Sequence, residues 1–132
     1  MKRLLLALLS FVPLLAQAGE KPNTILLHPG EVIYARFAEH GKKLKLLGTT
    51  KEKDETAQLI LQLENNPKDN GMTLTLHNRF GKDLLYAVEM RLLKSHLHQP
   101  ATVYPVVSGK MSFDPIPYGT EELAVTDFEL IL

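Results

Sequence analysis

Hydrophobic and polar residues alternate along most of the chain beyond residue 30. The alternating runs lie at residues 33–37, 43–46, 57–63, 72–77 and 124–132. In the clearest of them, Met72, Leu74 and Leu76 are separated by Thr73 and Thr75. A period of two places one side of an extended segment in a core and the other in solvent. These runs therefore predict half-buried β-strands.

Clusters of Asn, Asp, Gly and Pro separate the runs at intervals of roughly 8–12 residues. They lie at residues 28–30, 40–42, 65–71, 78–83, 108–110 and 114–119. These residue types favour turns because they tolerate a positive φ or fix φ in advance. Connections of turn length join antiparallel strands, so we predict an all-β fold, an antiparallel β-sandwich.

The segment at residues 84–97 has two interpretations. As a strand it places Leu84, Tyr86, Val88, Met90 and Leu92 on one face. As a helix it begins at the N-cap Asp83 and spaces Leu85, Val88, Leu92 and Leu93 along one side. Tyr86 and Val88 favour the strand. The helical alternative changes the fold class to α+β, with one helix packed on a sheet.

The stretch from Met72 to Met90 resembles a hairpin of the immunoglobulin-like domains found in bacterial proteins. It joins two alternating runs through a short turn that contains Gly81. The resemblance implies an immunoglobulin-like sandwich. It includes no Cys–Trp–Cys core and no family motif, so no functional residue follows from it.

The first 18 residues have the pattern of a secretory signal peptide. Lys2 and Arg3 precede an apolar stretch that extends to Leu15, and Ala16-Gln17-Ala18 supplies small residues for cleavage. The apolar stretch is too short to span the ~30 Å hydrocarbon core of a bilayer as a helix. We therefore expect cleavage after Ala18, no membrane insertion afterwards, and a single domain at residues 19–132 in the bacterial periplasm or outside the cell.

Composition supports one cysteine-free domain of ordinary polarity. The 132 residues are 45% hydrophobic and 23% charged and include no Cys. The 15 basic and 15 acidic residues balance, and loss of Lys2 and Arg3 with the leader leaves a small acidic excess. Nucleic-acid binding is not expected, because it depends on a basic surface. Stability must come from a hydrophobic core without disulfides.

Covalent catalysis has little support in the sequence. None of the three serines beyond the leader lies in a Gly-x-Ser-x-Gly elbow, and no P-loop spacing occurs. Carboxylates crowd the C-terminal region, and a pair of them in a cleft could act as acid and base. A small hydrolase is therefore an alternative function, with these candidates: Asp114, Glu121, Glu122, Asp127 and Glu129.

His96 and His98 form the one spacing that suggests a metal. Residues two apart on a strand point to the same side, and imidazole binds copper or zinc. Two histidines make half a site, so further ligands have to come from elsewhere. The candidates are Met90, Met111 and His77. A periplasmic copper- or zinc-binding protein is a second alternative function.

The favoured interpretation is a non-enzymatic binding or accessory protein that needs no cofactor. Two prolines stiffen the segment from Asp114 to Gly119, and the predicted loop presents Ile116 and Tyr118 to a protein or peptide partner. An exposed sheet edge is the other candidate surface, since a partner strand can add to it. Lys43 and Lys45 could protect such an edge. The oligomeric state stays open.

Overall fold

The computed structural model describes residues 22–66, 68, 71–92 and 98–132. These residues form nine β-strands and no helix, and so include none of the long apolar helices that could cross a membrane. The strands are β1 (Ile25–Leu27), β2 (Val32–His40), β3 (Lys43–Thr50), β4 (Leu59–Asn66), β5 (Gly71–Asn78), β6 (Asp83–Leu92), β7 (His98–Ala101), β8 (Met111–Pro117) and β9 (Thr120–Ile131).

All strand pairs are antiparallel and belong to one sheet. Its order is β7-β6-β9-β3-β2-β4-β5-β8, and β1 pairs with β9. The sheet curls into a nearly closed barrel. An isolated bridge between Leu84 and Val106 links β6 to the connection that leads into β8. The antiparallel all-β prediction is confirmed. An immunoglobulin-like sandwich is not, because the strands join in one sheet.

The helical alternative at residues 84–97 is wrong over its first nine residues, which belong to β6. Leu84, Tyr86, Val88 and Met90 are buried on one face of that strand. β6 pairs with β9 along nearly its whole length, and this pairing fixes an extended backbone that helical spacing alone cannot override. Residues 93–97 lie outside the described residues.

The inward positions of the strands form one hydrophobic core. Leucine dominates it, and the alternation seen in the sequence is the alternation of burial along β2, β4 and β5. Phe37 packs against Phe80 and Phe128, with ring centroids 5.7 and 5.1 Å apart. The largest fully buried side chains are Leu27, Leu59, Leu61, Leu63, Leu74, Leu76, Leu84, Leu123, Leu130, Val88, Val106 and Val125.

A bulge in β9 changes which residues of the C-terminal strand face inward. Asp127 has a φ of 56°, and the register against β6 shifts between Leu85 and Ala87. Such a bulge sets two residues opposite one and bends the strand. Phe128 and Leu130 are buried as their spacing predicts, whereas Leu132 lies beyond the strand and is exposed.

Asn78, at the end of β5, stabilises the end of the barrel where β6 meets the chain that leads into β8. We call this junction between β6 and β8 the seam. Its side-chain amide donates to the carbonyls of Lys82 and Val106, each at 2.9 Å. Its Oδ1 accepts from the Phe80 N–H at 2.8 Å. Leu84 and Val106 exchange two backbone hydrogen bonds beside it. Within residues 103–107, Val106 alone forms a β-bridge.

Candidate partner-binding surface

The segment from Asp114 to Gly119 is mostly strand, which corrects the prediction of a loop. Met111–Pro117 forms β8, paired with β5 from His77 to Gly71. Proline is tolerated in an edge strand where its nitrogen faces away from the ladder. The turn is confined to Tyr118 and Gly119, and Gly119 has a φ of 90°, which suits glycine.

Pro115 and Pro117 determine which backbone groups of β8 face its free edge. A proline has no N–H, so it cannot complete a hydrogen-bonded pair with β5. The ladder therefore runs through Ser112, Asp114 and Ile116. The residues between them direct their backbone groups to the free edge. At Pro115 and Pro117 that edge offers a carbonyl oxygen but no N–H donor. β7, the other edge strand, carries Pro100 opposite Glu89 and is interrupted in the same way.

The same alternation places most apolar side chains of β8 outward and the Asp114 carboxylate inward, which is the reverse of the usual pattern. Ser112, Asp114 and Ile116 point to the interior. Phe113 is 66% exposed and Met111 is 50% exposed. We call Met111, Phe113, Pro115, Pro117 and the adjoining Tyr118 the β8 stripe. It extends roughly 20 Å along the edge of the sheet.

The two residues proposed from the sequence separate in the structure. Tyr118 is 75% exposed at the end of the β8 stripe, whereas Ile116 is buried and belongs to the core. Sequence reasoning missed Phe113 and Met111. The signal that could have found them is the spacing of Met111, Phe113, Pro115 and Pro117 at every second position.

Exposed hydrophobic side chains are frequent in the segment that leads into β8 and forms it. Within the described residues nine large hydrophobic side chains are exposed, and five of them lie between Tyr104 and Tyr118. The connection from β7 to β8 supplies Tyr104 and Val107. Exposed apolar surface that is grouped in this way is typical of interaction sites, while scattered single residues are not.

The face that carries the β8 stripe is free of formal charge over two strands. On β5 the outward positions opposite Pro117, Pro115, Phe113 and Met111 are Gly71, Thr73, Thr75 and His77. None of these eight positions is Asp, Glu, Lys or Arg. The outward side of β6 and β9 carries charges instead: Asp83, Glu89, Arg91, Glu122, Asp127 and Glu129.

Beneath the β8 stripe, Asp114 bonds across the seam to β6. The Tyr86 hydroxyl donates to Asp114 Oδ2 at 2.5 Å, and both residues are buried. Burial raises the pKa of Asp114 above 3.8, and the hydrogen bond from Tyr86 opposes that rise. Burial and the neighbouring carboxylate also raise the pKa of Tyr86. This pair links β8 to β6 at a place where backbone pairing is interrupted.

Asp114 should make the stability depend on pH. Its raised pKa means that the folded protein binds this proton more tightly, so the free energy of unfolding falls as pH rises from 3.8 to the pKa of the folded state.

Tyr86→Phe should lower the free energy of unfolding by about 2 kcal/mol at neutral pH, because the buried carboxylate loses its hydrogen-bond donor. Asp114→Asn should remove the fall with pH and keep the bond from Tyr86. Urea unfolding near pH 4 and near pH 7 measures both; a Tyr86→Phe variant as stable as wild type contradicts the pairing.

Of the C-terminal carboxylates proposed for a hydrolase, Glu121 and Glu122 share one cationic partner and the other three lie at separate places in the fold. Asp114 is in the core with Tyr86. Glu121 and Glu122 form ion pairs with Arg91 at 2.6 and 3.7 Å, and Glu129 pairs with Lys42. Asp127 occupies the β9 bulge. These placements do not favour an acid–base pair, and the hydrolase stays a prediction.

A charge network lies at the end of the barrel where β1 leads into β2. The Lys51 ammonium contacts Glu31 at 2.7 Å and, with the N–H groups of His28, lowers the pKa of Glu31 to about 2. The His28 ring contacts Glu31 on one side and Glu122 on the other, at 2.8 and 3.0 Å. Because these charges have partners, the network joins the connection between β1 and β2 to β9 and to Lys51, which follows β3.

The proposed metal site is only partly within the described residues. His96 lies outside them, and His98 begins β7 opposite Arg91, near the end of β6. His77 and Met111 pair with each other near the start of β6, roughly 25 Å of strand away. Met90 is buried. No group of three His, Asp or Glu among the described residues is placed to hold a metal ion.

A shallow groove opens on the outer side of β2 and β3. Its volume is about 70 Å³, and Tyr34, Arg36, Gly48, Thr49, Thr50 and Asp54 line it. Sites for small organic ligands usually have ~300–1,000 Å³, so the groove is small beside them. Asp54 also neutralises Arg36 across 3.6 Å. Neither its size nor its charge favours this groove as a substrate site.

Comparisons of the chain with protein-family models, curated proteins and solved structures gave no match.

Proposed function

We propose that this chain is an exported, non-enzymatic binding protein that holds a protein or peptide partner on the β8 stripe. The observation that carries the proposal is the inverted strand β8, with Phe113 and Met111 outward and Asp114 inward. Aromatic residues and Met are enriched in the cores of protein interfaces, and charged residues are depleted there. The leader predicted at residues 1–18 would direct the protein to the periplasm or the medium.

The stripe is well suited to binding because its backbone is already fixed. Pro115 and Pro117 restrict φ, and pairing with β5 holds the strand along its length. Less conformational entropy is then lost when Phe113 and Tyr118 contact a partner. A rigid aromatic surface can bind without any rearrangement of the barrel.

Side-chain docking is favoured over the addition of a partner strand. A strand that adds to β8 would find N–H donors at Met111 and Phe113 but none at Pro115 and Pro117. The prolines interrupt the edge and also guard against uncontrolled sheet growth. Of the two surfaces that the sequence suggested, the side chains of β8 and its turn therefore have more support than the sheet edge.

Capture from native envelopes tests this function. Tagged wild-type, Phe113→Glu and Leu47→Glu proteins are crosslinked reversibly, purified and identified by mass spectrometry. Leu47 is the matched control: it is 60% exposed on β3, away from the stripe. We expect the partner captured by wild type to fall at least about tenfold with Phe113→Glu, because a charge at the centre of an apolar contact must be desolvated, and to persist with Leu47→Glu. Equal capture by all three proteins contradicts the proposal.

A further inference from the structure

We infer that the partner on the β8 stripe is a second copy of this chain, so that two barrels form a twofold-symmetric dimer with stripe packed against stripe. This inference rests on the proposed function, because it identifies the partner that the β8 stripe binds. The charge, the area and the backbone of this face all support a second copy as the partner.

The absence of charge suits a face that meets itself. In a twofold interface the same patch lies on both sides, so each residue contacts itself or its own neighbours. A patch with charges of one sign then repels its copy. The eight outward positions of β5 and β8 carry neither carboxylate nor ammonium nor guanidinium groups, whereas those of β6 and β9 are rich in carboxylates.

The apolar area of the stripe is a large part of what a stable dimer needs. Phe113 and Tyr118 are 66% and 75% exposed, and Met111 is 50% exposed. With the two prolines of β8, these side chains present on the order of 500 Å². A standard interface buries ~800 Å² on each partner. One copy of the stripe therefore supplies more than half of the area that one side of a dimer requires, and the uncharged outward positions of β5 beside it extend the same face.

The prolines also limit the assembly to two copies. Pro115 and Pro117 prevent two β8 edges from forming a continuous ladder, and Pro100 interrupts the β7 edge. Pairing of β8 with a neighbour's β7, which would propagate into a filament, is blocked at both strands. Packing through side chains uses the stripe once on each copy, and the assembly closes.

Light scattering during size-exclusion chromatography tests the dimer. The purified protein is loaded at on the order of 100 µM, which is well above a micromolar dissociation constant. At this concentration it should have twice the mass of one chain. Phe113→Glu and Tyr118→Glu should give the mass of one chain, and Leu47→Glu that of two. Circular dichroism identical to wild type shows that the variants are folded.

The other outcomes overturn the inference. A wild-type protein with the mass of one chain contradicts it, even where envelope capture finds a different protein on the stripe and so supports the proposed function. A dimer that survives both stripe substitutions places the interface elsewhere. Loss of the dimer in Leu47→Glu as well shows that the contact is not specific to β8.

Discussion

Replacing Leu61 by alanine is expected to lower the free energy of unfolding by about 3–4 kcal/mol. Leu61 is fully buried in β4, between Ile33 of β2 and Leu76 of β5. Truncation removes the transfer free energy of the side chain and leaves a cavity that paired strands on both sides cannot fill. The measurement is urea unfolding followed by circular dichroism.

Leu47→Ala provides the comparison for this substitution. Leu47 is also a leucine in a strand, but its side chain is mostly exposed, so the change should stay within about 0.5 kcal/mol. Equal effects of the two substitutions would contradict the direction in which β4 faces and the position of the core.

Asn78→Ala is expected to cost about 3 kcal/mol. The substitution leaves the carbonyls of Lys82 and Val106 and the N–H of Phe80 without their side-chain partner. Each unsatisfied buried group costs roughly 1–3 kcal/mol, and water can reach only part of this site. Hydrogen exchange should show the Leu84 and Val106 amides opening before the rest of β6, since these two residues bridge the seam beside Asn78.

The matched control for Asn78 is Asn65→Ala. Asn65 also lies in a strand, β4, but is exposed, and its loss should be nearly neutral. Unchanged stability of Asn78→Ala, or exchange of the Leu84 amide at the wild-type rate, contradicts the role of Asn78 in closing the barrel.

The strands that have one solvent-exposed face and one buried face were predictable from the sequence. In β5 every inward position is apolar except the terminal Asn78, and every outward one is Gly, Thr or His, so period two identifies the strand directly. β6 was predictable as a strand from its β-favouring residues, but its competing helical spacing was excluded only by pairing with β9. That pairing joins residues roughly 40 positions apart in sequence, and a local pattern carries no information about contacts at that distance.

The stripe was not predicted, because β8 departs from the patterns that usually identify strands and only the spacing of its apolar residues at every second position indicates it. Asp114 faces inward, where a carboxyl is costly unless it is bonded, and its partner Tyr86 lies 28 residues away. The two prolines, which favour turns locally, are tolerated because the edge of the sheet leaves their nitrogens unpaired. The sequence therefore indicated Tyr118 as a contact residue but not Phe113.

The barrel closure was missed for a similar reason. Asn78 belongs to a cluster of turn-forming residues, and its type fits a turn as well as a buried bridge. Its role depends on Val106, brought to it by the path of the chain from β7 to β8. A local motif cannot show that kind of contact.

Photo-crosslinking from the β8 stripe in the cells that make the protein tests the central claim most directly. A photoreactive amino acid replaces Phe113 in one variant and Leu47 in the other, two exposed positions on different strands. On illumination, position 113 should give one discrete adduct of higher mass on a denaturing gel, and position 47 should give none. An adduct of equal yield from both positions, or none from position 113, would contradict β8 as the surface through which this protein acts.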